Sequence, residues 1–262
     1  MDVDPVLDPA VDAVASCLRG AQHVVVLTGA GMSTESGIPD FRGPDGVWTK
    51  NPAAEKTATL SHYVSDPAVR AQAWQNRVGS GIWTAEPNAG HRALVAIEQH
   101  LGDRFAMLVT QNVDGLHLTA GSDPGRLVEI HGNVREVKCL TCRYRAPMSV
   151  ALDRVRAGEV DPRCPECAGI LKSATISFGE NLVAADLERA HAAACGADLF
   201  VALGTSLGVY PAAALPDLAR RAGARLVVAN AEPTPFDDVA DAVLRDPLGE
   251  LLTVIAARLA SP

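Results

Sequence analysis

Gly29 and Gly31 lie directly after an apolar run at residues 24–27, which has the pattern of a buried parallel strand. Glycines at this place allow a tight turn and a close approach of the backbone to phosphate. We also expect unpaired N–H groups of a following helix to face the anion. The spacing departs from the common dinucleotide fingerprint because Thr34 stands where its third glycine would be. The pair indicates either a phosphate-binding turn of a less common kind or only a tight turn.

The next segment, residues 37–43, places an aromatic ring, a carboxylate and a guanidinium between glycines and a proline. These three groups belong to Phe41, Asp40 and Arg42. Such a composition favours a loop that folds over a ligand rather than an element of the core.

Asn112 and Asp114 follow the apolar run at residues 105–110. Ligands of an open α/β sheet bind beyond the carboxyl ends of its strands, so an amide and a carboxylate at this place are positioned to serve a site. The competing interpretation is a polar turn closed by an Asx hydrogen bond.

His131 comes directly after another apolar run, residues 127–130, and is followed by a glycine. A neutral imidazole at a strand end is able to take a proton near pH 7, which makes His131 a candidate general base. His117 is close to the same segment, and the sequence alone does not choose between the two.

Two further strand ends carry polar or small residues suited to phosphate or ribose. They follow the apolar runs at 199–203 and 226–230. The residues are Gly204, Thr205, Ser206, Asn230, Ala231 and Glu232. Each signal is weak by itself, but four such ends on one sheet indicate a shared binding site.

Four cysteines form two Cys-x-x-Cys pairs, Cys139 with Cys142 and Cys164 with Cys167. This spacing is typical of a structural zinc ion held tetrahedrally by four thiolates, with no open position for a substrate. Disulfides are the alternative, and they are rare in the reducing compartment expected for a chain without export features.

Apolar runs alternate with helical patterns over most of the chain, which predicts a doubly wound α/β fold with a mostly parallel, Rossmann-like sheet. Strands are expected at 24–27, 105–110, 127–130, 174–177, 199–203, 226–230 and 242–244, and helices at 67–79, 88–100, 184–195, 211–222 and 248–259. We expect residues 1–132 and 174–262 to form the nucleotide-binding domain, with a helical and loop insertion at about 38–86. Residues 133–173 would form a smaller zinc-ribbon module.

The chain has 262 residues, 48% of them hydrophobic and 21% charged, which is enough for one large core and a smaller one. No apolar stretch approaches the roughly 20 residues of a membrane span, and no signal-peptide pattern is present, so the cytoplasm is the expected compartment. A net charge of -8 argues against a general nucleic-acid binder. Residues 133–172 are locally basic, which we interpret as a solvated surface rather than a docking site.

Seven motifs together resemble the sirtuin family of NAD-dependent protein lysine deacylases, in order along nearly the whole chain from residue 21. They are the runs 29–43, 110–117, 131–132, 178–181 and 204–211, the cysteine quartet, and Asn230. The resemblance implies that NAD is a co-substrate and zinc a structural ion.

The resemblance also implies roles for individual residues. NAD would be bound by Gly29, Ala30, Gly31, Ser36, Ile38, Asp40, Phe41, Arg42, Gln111, Asn112, Asp114, Gly204, Thr205, Ser206, Asn230, Ala231, Glu232 and Leu248. His131 would be the general base, with Asn112 and Asp114 completing the catalytic set. The acylated protein would bind as an added β-strand between Phe178-Gly179 and Val209-Tyr210, and the carbonyl of Ile176 would accept the substrate amide N–H.

The implied reaction transfers the acyl group of acyl-lysine to ADP-ribose and releases nicotinamide, with acetyl as the expected acyl group. The alternatives are mono-ADP-ribosyl transfer, removal of acidic acyl groups such as succinyl or malonyl, and, much less favoured, a non-catalytic NAD sensor or interaction protein.

Three positions depart from the family pattern. Lys172-Ser173 stands in place of the usual Arg-Pro, and Ser177 in place of a bulky residue. The branch of the family that prefers acidic acyl groups has Tyr and Arg three residues apart, where this chain has Trp74 and Arg77. If both residues lined the acyl pocket, the indole would narrow it, and we would expect acetyl-lysine to be deacylated at least as efficiently as succinyl-lysine.

Overall fold

The computed structural model describes residues 9–261; residues 1–8, the first part of the expected nucleotide-binding domain, lie outside the described residues. The strands are β1 Val24–Thr28, β2 Phe105–Thr110, β3 Leu127–Glu129, β4 Gly132–Cys139, β5 Arg145–Pro147, β6 Leu171–Thr175, β7 Leu199–Leu203, β8 Arg225–Ala229 and β9 Ala242–Leu244. The helices are α1 Pro9–Gly20, α2 Val47–Lys50, α3 Leu60–Ser65, α4 Pro67–Val78, α5 Ala89–Leu101, α6 Leu116–Ala120, α7 Met148–Arg156, α8 Ala184–Gly196, α9 Leu215–Arg221 and α10 Leu248–Ala260.

Six strands form the predicted parallel sheet, in the order β3-β2-β1-β7-β8-β9. Thr28 at the end of β1 lies opposite Thr110 of β2 on one side and Leu203 of β7 on the other. The strand order reverses between β1 and β7, and this is the place where open α/β sheets form a ligand crevice. The carboxyl ends of these strands, and the loops that follow them, therefore meet at one edge.

Both faces of the sheet are covered, as a doubly wound fold requires. Val24 and Val26 of β1 pack with apolar residues of α1, α5 and α10 on one face. Val25 and Leu27 point to the other face and pack with α8 and α9. The alternation along β1 follows from the two-residue period of a strand, and it anchors the crevice loops on a rigid layer.

A second sheet is antiparallel, in the order β5-β4-β6, and packs with α7 around a separate core. The strand expected at 174–177 is part of this sheet instead of the parallel one, because β6 begins at Leu171 and pairs with β4. The first half of β6 contains the polar residues Lys172 and Ser173, so a search for apolar runs did not identify it as a strand.

The helix predicted at 211–222 begins only at Leu215, where Pro216 occupies the first turn, a position that tolerates proline. Within residues 9–261, no helix is long and apolar enough to span a membrane.

Candidate active site

The turns after β1 and β7 interlock at the reversal point of the sheet. The amide of Gly29 donates to the carbonyl of Leu203 at 3.0 Å, and that of Gly31 to the carbonyl of Gly204 at 2.9 Å. A Cβ on Gly29 would lie 2.7 Å from the Gly204 carbonyl oxygen, so contact between the two turns itself requires glycine. Gly204 has φ of +60°, which also favours glycine.

The expectation that a helix follows this glycine turn is wrong. The chain forms two short 3₁₀ turns, Ala30–Met32 and Thr34–Ser36. The amides of Gly29 and Gly31 are already bonded to the β7 turn, so these two N–H groups do not face an anion.

The loop after β2 is held by its own side chains against the glycine turn. Asn112 donates to the Gly29 carbonyl at 2.9 Å and to the Ser33 hydroxyl at 3.1 Å. Ser33 in turn donates to the Asp114 carboxylate at 2.7 Å, and Gln111 donates to the Thr205 hydroxyl at 2.9 Å. This network connects the loops after β1, β2 and β7. Ser33 is a contributor that the sequence analysis missed, although it lies inside the 29–43 motif.

His131 is half-buried at the end of β3, and its Nδ1 lies 3.1 Å from the carbonyl oxygen of Gln111. A carbonyl only accepts, so Nδ1 carries the proton and Nε2 keeps a free lone pair. Burial lowers the pKa of His131 below its ordinary value, and the bond to Gln111 opposes this only in part. The imidazole is therefore neutral at pH 7 and able to act as a base.

His117 is only 2% exposed and does not line the cavity that these loops surround, whereas His131 does. Its Nε2 bonds to the Thr28 hydroxyl at 2.9 Å, and its ring lies 4.8 Å from that of His91. Burial lowers the pKa of His117 to about 3. Of the two candidate histidines, His131 is the one that reaches the cavity.

The predicted ligand loop at residues 37–43 closes one side of the cavity and packs on an aromatic residue that the sequence analysis missed. The Phe41 ring lies 4.6 Å from that of Trp48, and the Arg42 guanidinium lies 4.7 Å from it. Trp48 also contacts Phe178, at 5.5 Å between ring centroids. The loop is thereby joined to the segment expected to bind peptide.

The loop after β8 also lines the cavity, through Asn230, Ala231 and Glu232. Asn230 donates to the carbonyl of Glu232 at 2.8 Å, and Arg245 donates to the carbonyl of Asn230 at 2.7 Å. Glu35 accepts the amide of Gly249 at 2.9 Å, in the first turn of α10. A carboxylate of the chain therefore already occupies this helix N-terminus.

The loops surround a continuous cavity of about 1070 Å³, large enough for a dinucleotide and an acyl-lysine side chain. Predicted residues lining it are Gly29, Ala30, Gly31, Ile38, Asp40, Phe41, Arg42, Gln111, Asn112, Asp114, His131, Ile176, Phe178, Gly179, Gly204, Thr205, Ser206, Val209, Tyr210, Asn230, Ala231, Glu232 and Leu248. Ser36 is not among the lining residues, and its buried hydroxyl has no partner among the described residues.

Trp74 and Arg77 both belong to α4, but their side chains lie in different surroundings. Trp74 is fully buried in the core of the second sheet, so the condition that both residues line the pocket is not met and its indole does not narrow the cavity. Arg77 lines the cavity and donates to the Ser173 hydroxyl at 2.8 Å. Burial lowers the pKa of Arg77, and within residues 9–261 no carboxylate forms an ion pair with it.

The four predicted zinc ligands converge at one end of the second sheet. Their sulfur atoms all lie within 4.8 Å of one another, and Cys139–Cys167 and Cys142–Cys164 are each 3.6 Å apart. Four sulfurs at about 2.3 Å from one zinc ion would be about 3.8 Å apart, whereas a disulfide needs about 2 Å. The donor set therefore fits a tetrahedral zinc ion and not two disulfides.

Ion pairs neutralise most of the basic residues around this cluster. The carboxylate partners belong to Glu136, Glu159, Asp153, Asp161 and Glu180. These carboxylates offset most of the local positive charge.

A family model described as the Sir2 family matches residues 29–211. The chain is 48% identical to NAD-dependent protein deacetylase 2 of Streptomyces coelicolor, covering 91% of this chain and 98% of that protein. It is 39% identical to NAD-dependent protein deacetylase 1 of Bradyrhizobium diazoefficiens, with 94% and 95% covered.

Solved structures are similar over the same length. One Sir2 enzyme superimposes with a TM-score of 0.87 at 36% identity, covering 97% of this chain and 98% of that one. A Sir2 complex with a p53 peptide and NAD+ gives 0.84 at 32% identity, covering 94% and 96%. The similarity therefore includes the sheet edge, the cavity and the second sheet.

Proposed function

Because this chain belongs to the Sir2 family, we propose that it is an NAD-dependent protein lysine deacetylase. It would transfer the acetyl group of acetyl-lysine to ADP-ribose, with release of nicotinamide and with one water molecule consumed to free the lysine amine. The observation that carries the proposal is the position of His131, whose free Nε2 belongs to a neutral imidazole in the wall of the same cavity as the interlocked glycine turns.

The cavity suits NAD on physical grounds. Gly31 and Gly204 are in close contact and have no side chains. A pyrophosphate can therefore approach the backbone closely at this edge of the sheet. The hydroxyls of Thr205 and Ser206 and the amide of Asn230 lie along the cavity towards α10, as partners for phosphate and ribose. NAD bound there would supply the ADP-ribosyl acceptor and nicotinamide as the leaving group.

The chain's own residues would orient and activate the reacting groups. Asn112 and Asp114 are held rigidly through Ser33, so they can align the nicotinamide end of the cavity without moving. His131 would take a proton from a ribose hydroxyl at Nε2, while the Gln111 carbonyl stabilises the charged ring that results. The loop through Phe41 and Arg42 would exclude water.

The acyl-lysine peptide would enter as an added strand. The carbonyl of Ile176 and the amides of Val209 and Tyr210 accept or donate no hydrogen bond among the described residues. Ile176, Val209 and Tyr210 all line the cavity, and Tyr210 is 72% exposed. Free backbone groups in the cavity lining would allow β-augmentation, in which main-chain bonds supply affinity without reading much sequence.

Arg77 favours a second activity at the same site, removal of acidic acyl groups. The half-buried Arg77 guanidinium has no carboxylate partner among the described residues, and an acyl carboxylate in the cavity would compensate its charge. Trp74 lies outside the cavity, so its indole does not limit the space for such a group.

Release of nicotinamide tests the proposal. We expect release from NAD only when an acetyl-lysine peptide is present, and none with the same peptide carrying unmodified lysine. Equal release with both peptides would instead indicate NAD hydrolysis and would contradict the proposal.

A further inference from the structure

The segment at residues 176–181 forms the wall of the cavity on which the peptide would pair. Backbone hydrogen bonds attach its first half to other segments, and one of them runs from the amide of Leu60 to the carbonyl of Phe178 at 2.9 Å. Ile176 donates to the carbonyl of His131 at 2.7 Å, and Phe178 donates to the carbonyl of Ala58 at 2.9 Å. Gly179 follows with φ of +82°, so the chain reverses sharply here. The position of this wall depends on what holds the reversal in place.

Glu180 holds it through three contacts. One carboxylate oxygen accepts from Lys138 at 2.6 Å, and the other lies 3.1 Å from the ammonium of Lys172 and accepts the Ser177 amide at 3.1 Å. Burial raises the pKa of Glu180, but the contacts with the two lysines outweigh this and hold it below its usual value. The carboxylate is therefore ionised and bound to both β4 and β6.

The two lysines need this carboxylate. Lys138 and Lys172 are register partners in the antiparallel pair of β4 and β6, and like charges directly opposite each other destabilise a sheet. Lys172 is only 1% exposed and also donates to the carbonyl of Thr175 at 2.6 Å, so water does not screen its charge. When the 176–181 segment is in place, Glu180 lies between the two ammonium groups and relieves their repulsion.

We propose that Lys138, Lys172 and Glu180 form a clamp that positions the 176–181 segment for pairing with the acyl-lysine peptide. Lys138 and Lys172 act through Glu180 and touch no reacting atom, so they are positioning residues for peptide binding. The inference rests on the proposed deacetylase function. It assigns a role to Lys172, at which this chain departs from the family's usual arginine.

Substitution of Lys172 tests the clamp in the zinc-loaded protein. Lys172→Met removes the charge and keeps the length, Lys172→Arg keeps the charge, and Arg145→Met removes an exposed ion pair with Glu136 from the same sheet as a control. Steady-state rates are measured with the acetyl-lysine peptide and NAD varied in turn, together with zinc content and melting temperature.

We expect Lys172→Met to raise the KM for peptide at least about tenfold, as loss of a charge-assisted contact implies, with the KM for NAD unchanged. The peptide KM of Lys172→Arg should lie within about threefold of the native value, and that of Arg145→Met should equal the native value. Where Lys172→Met does not accumulate as folded protein, Lys138→Met, at a more exposed position, gives the same readout.

A folded Lys172→Met with the native peptide KM overturns the clamp, and so does an equal rise in both KM values or a failure of Lys172→Arg to restore binding. These outcomes leave the deacetylase proposal standing if the native chain turns over the peptide. Absence of peptide-dependent turnover in the native chain would refute the deacetylase proposal, and the clamp with it.

Discussion

His131 and His117 are the same residue type close together in sequence, and their surroundings give them different chemistry. The Nδ1 of His131 donates a hydrogen bond to the Gln111 carbonyl, and the His131 side chain lines the cavity. His117 donates through Nε2 to the Thr28 hydroxyl, because Thr28 gives its own proton to Thr110. A base needs both a free lone pair and access to substrate, and only His131 has them.

We predict that His131→Ala lowers acetyl-lysine turnover by at least about 10²-fold while NAD affinity and fold are retained, as loss of a general base implies. His62→Ala, at an exposed histidine, should have native rates. Turnover and NAD binding are measured for both variants. A His131→Ala enzyme with more than about a tenth of native turnover would remove His131 from the mechanism.

Arg77 is the side chain of the cavity wall from which we predict acyl selectivity. We predict that Arg77→Met lowers kcat/KM for a succinyl-lysine peptide at least about tenfold, because a charge-assisted contact with the acyl carboxylate is lost. The same variant should deacetylate within about twofold of the native chain. Equal losses on both peptides would show that Arg77 acts through structure and not through acyl recognition.

Among the elements, the second sheet depends on its metal. Its core is small, formed around Val137, Leu152, Leu171 and the inserted Trp74, so apolar burial supplies limited stability. Zinc binding supplies roughly 10 to 16 kcal/mol in isolated fingers. We predict about one zinc per chain by metal analysis, and loss of zinc, of this sheet and of activity in Cys164→Ala.

Cys195→Ala is the matched control, because Cys195 is exposed and lies outside the cluster. It should bind zinc and turn over peptide as the native chain does. A metal-free native chain with full activity would contradict the structural role of zinc.

The packing of α5 against α6 buries two neutral histidines and predicts how stability depends on pH. Burial lowers the pKa of His91 to about 4 and that of His117 to about 3. The unfolded chain takes up these protons near pH 6.5, so the free energy of unfolding should fall as pH drops from about 6.5 towards 4. The loss is at most about 1.4 kcal/mol per pH unit for each histidine.

Urea unfolding at pH 7, 6 and 5 measures this fall. His91→Leu removes one titrating ring whose nitrogens have no hydrogen-bond partner in the described part of the chain. It should therefore make the fall shallower. A stability that is flat over this range, or an unchanged slope in His91→Leu, would contradict the prediction.

At the scale of the whole molecule, much of the site was predictable because parallel strands end at one edge. The apolar runs before Gly29, Asn112, His131 and Gly204 placed four loops together, and the structure confirms their convergence. The cysteine spacing likewise predicted a cluster, which the sulfur distances fit.

What sequence did not predict depends on contacts between distant segments. Periodicity does not reveal which strand pairs with which, so β6 was placed in the wrong sheet. It also does not reveal which face of α4 is buried, so the sequence left open whether Trp74 lines the cavity. Packing in the second core places Trp74 elsewhere. The Lys138–Lys172–Glu180 contacts were invisible for the same reason, since they need the register of β4 and β6.

Mass spectrometry of the products from NAD and an acetyl-lysine peptide tests the central claim most directly. We expect free lysine in the peptide together with acetyl-ADP-ribose and nicotinamide in equal amounts, and in His131→Ala at least about 10²-fold slower formation of the deacetylated peptide and acetyl-ADP-ribose. An ADP-ribosylated peptide that keeps its acetyl group, or an unchanged peptide with intact NAD, would contradict it.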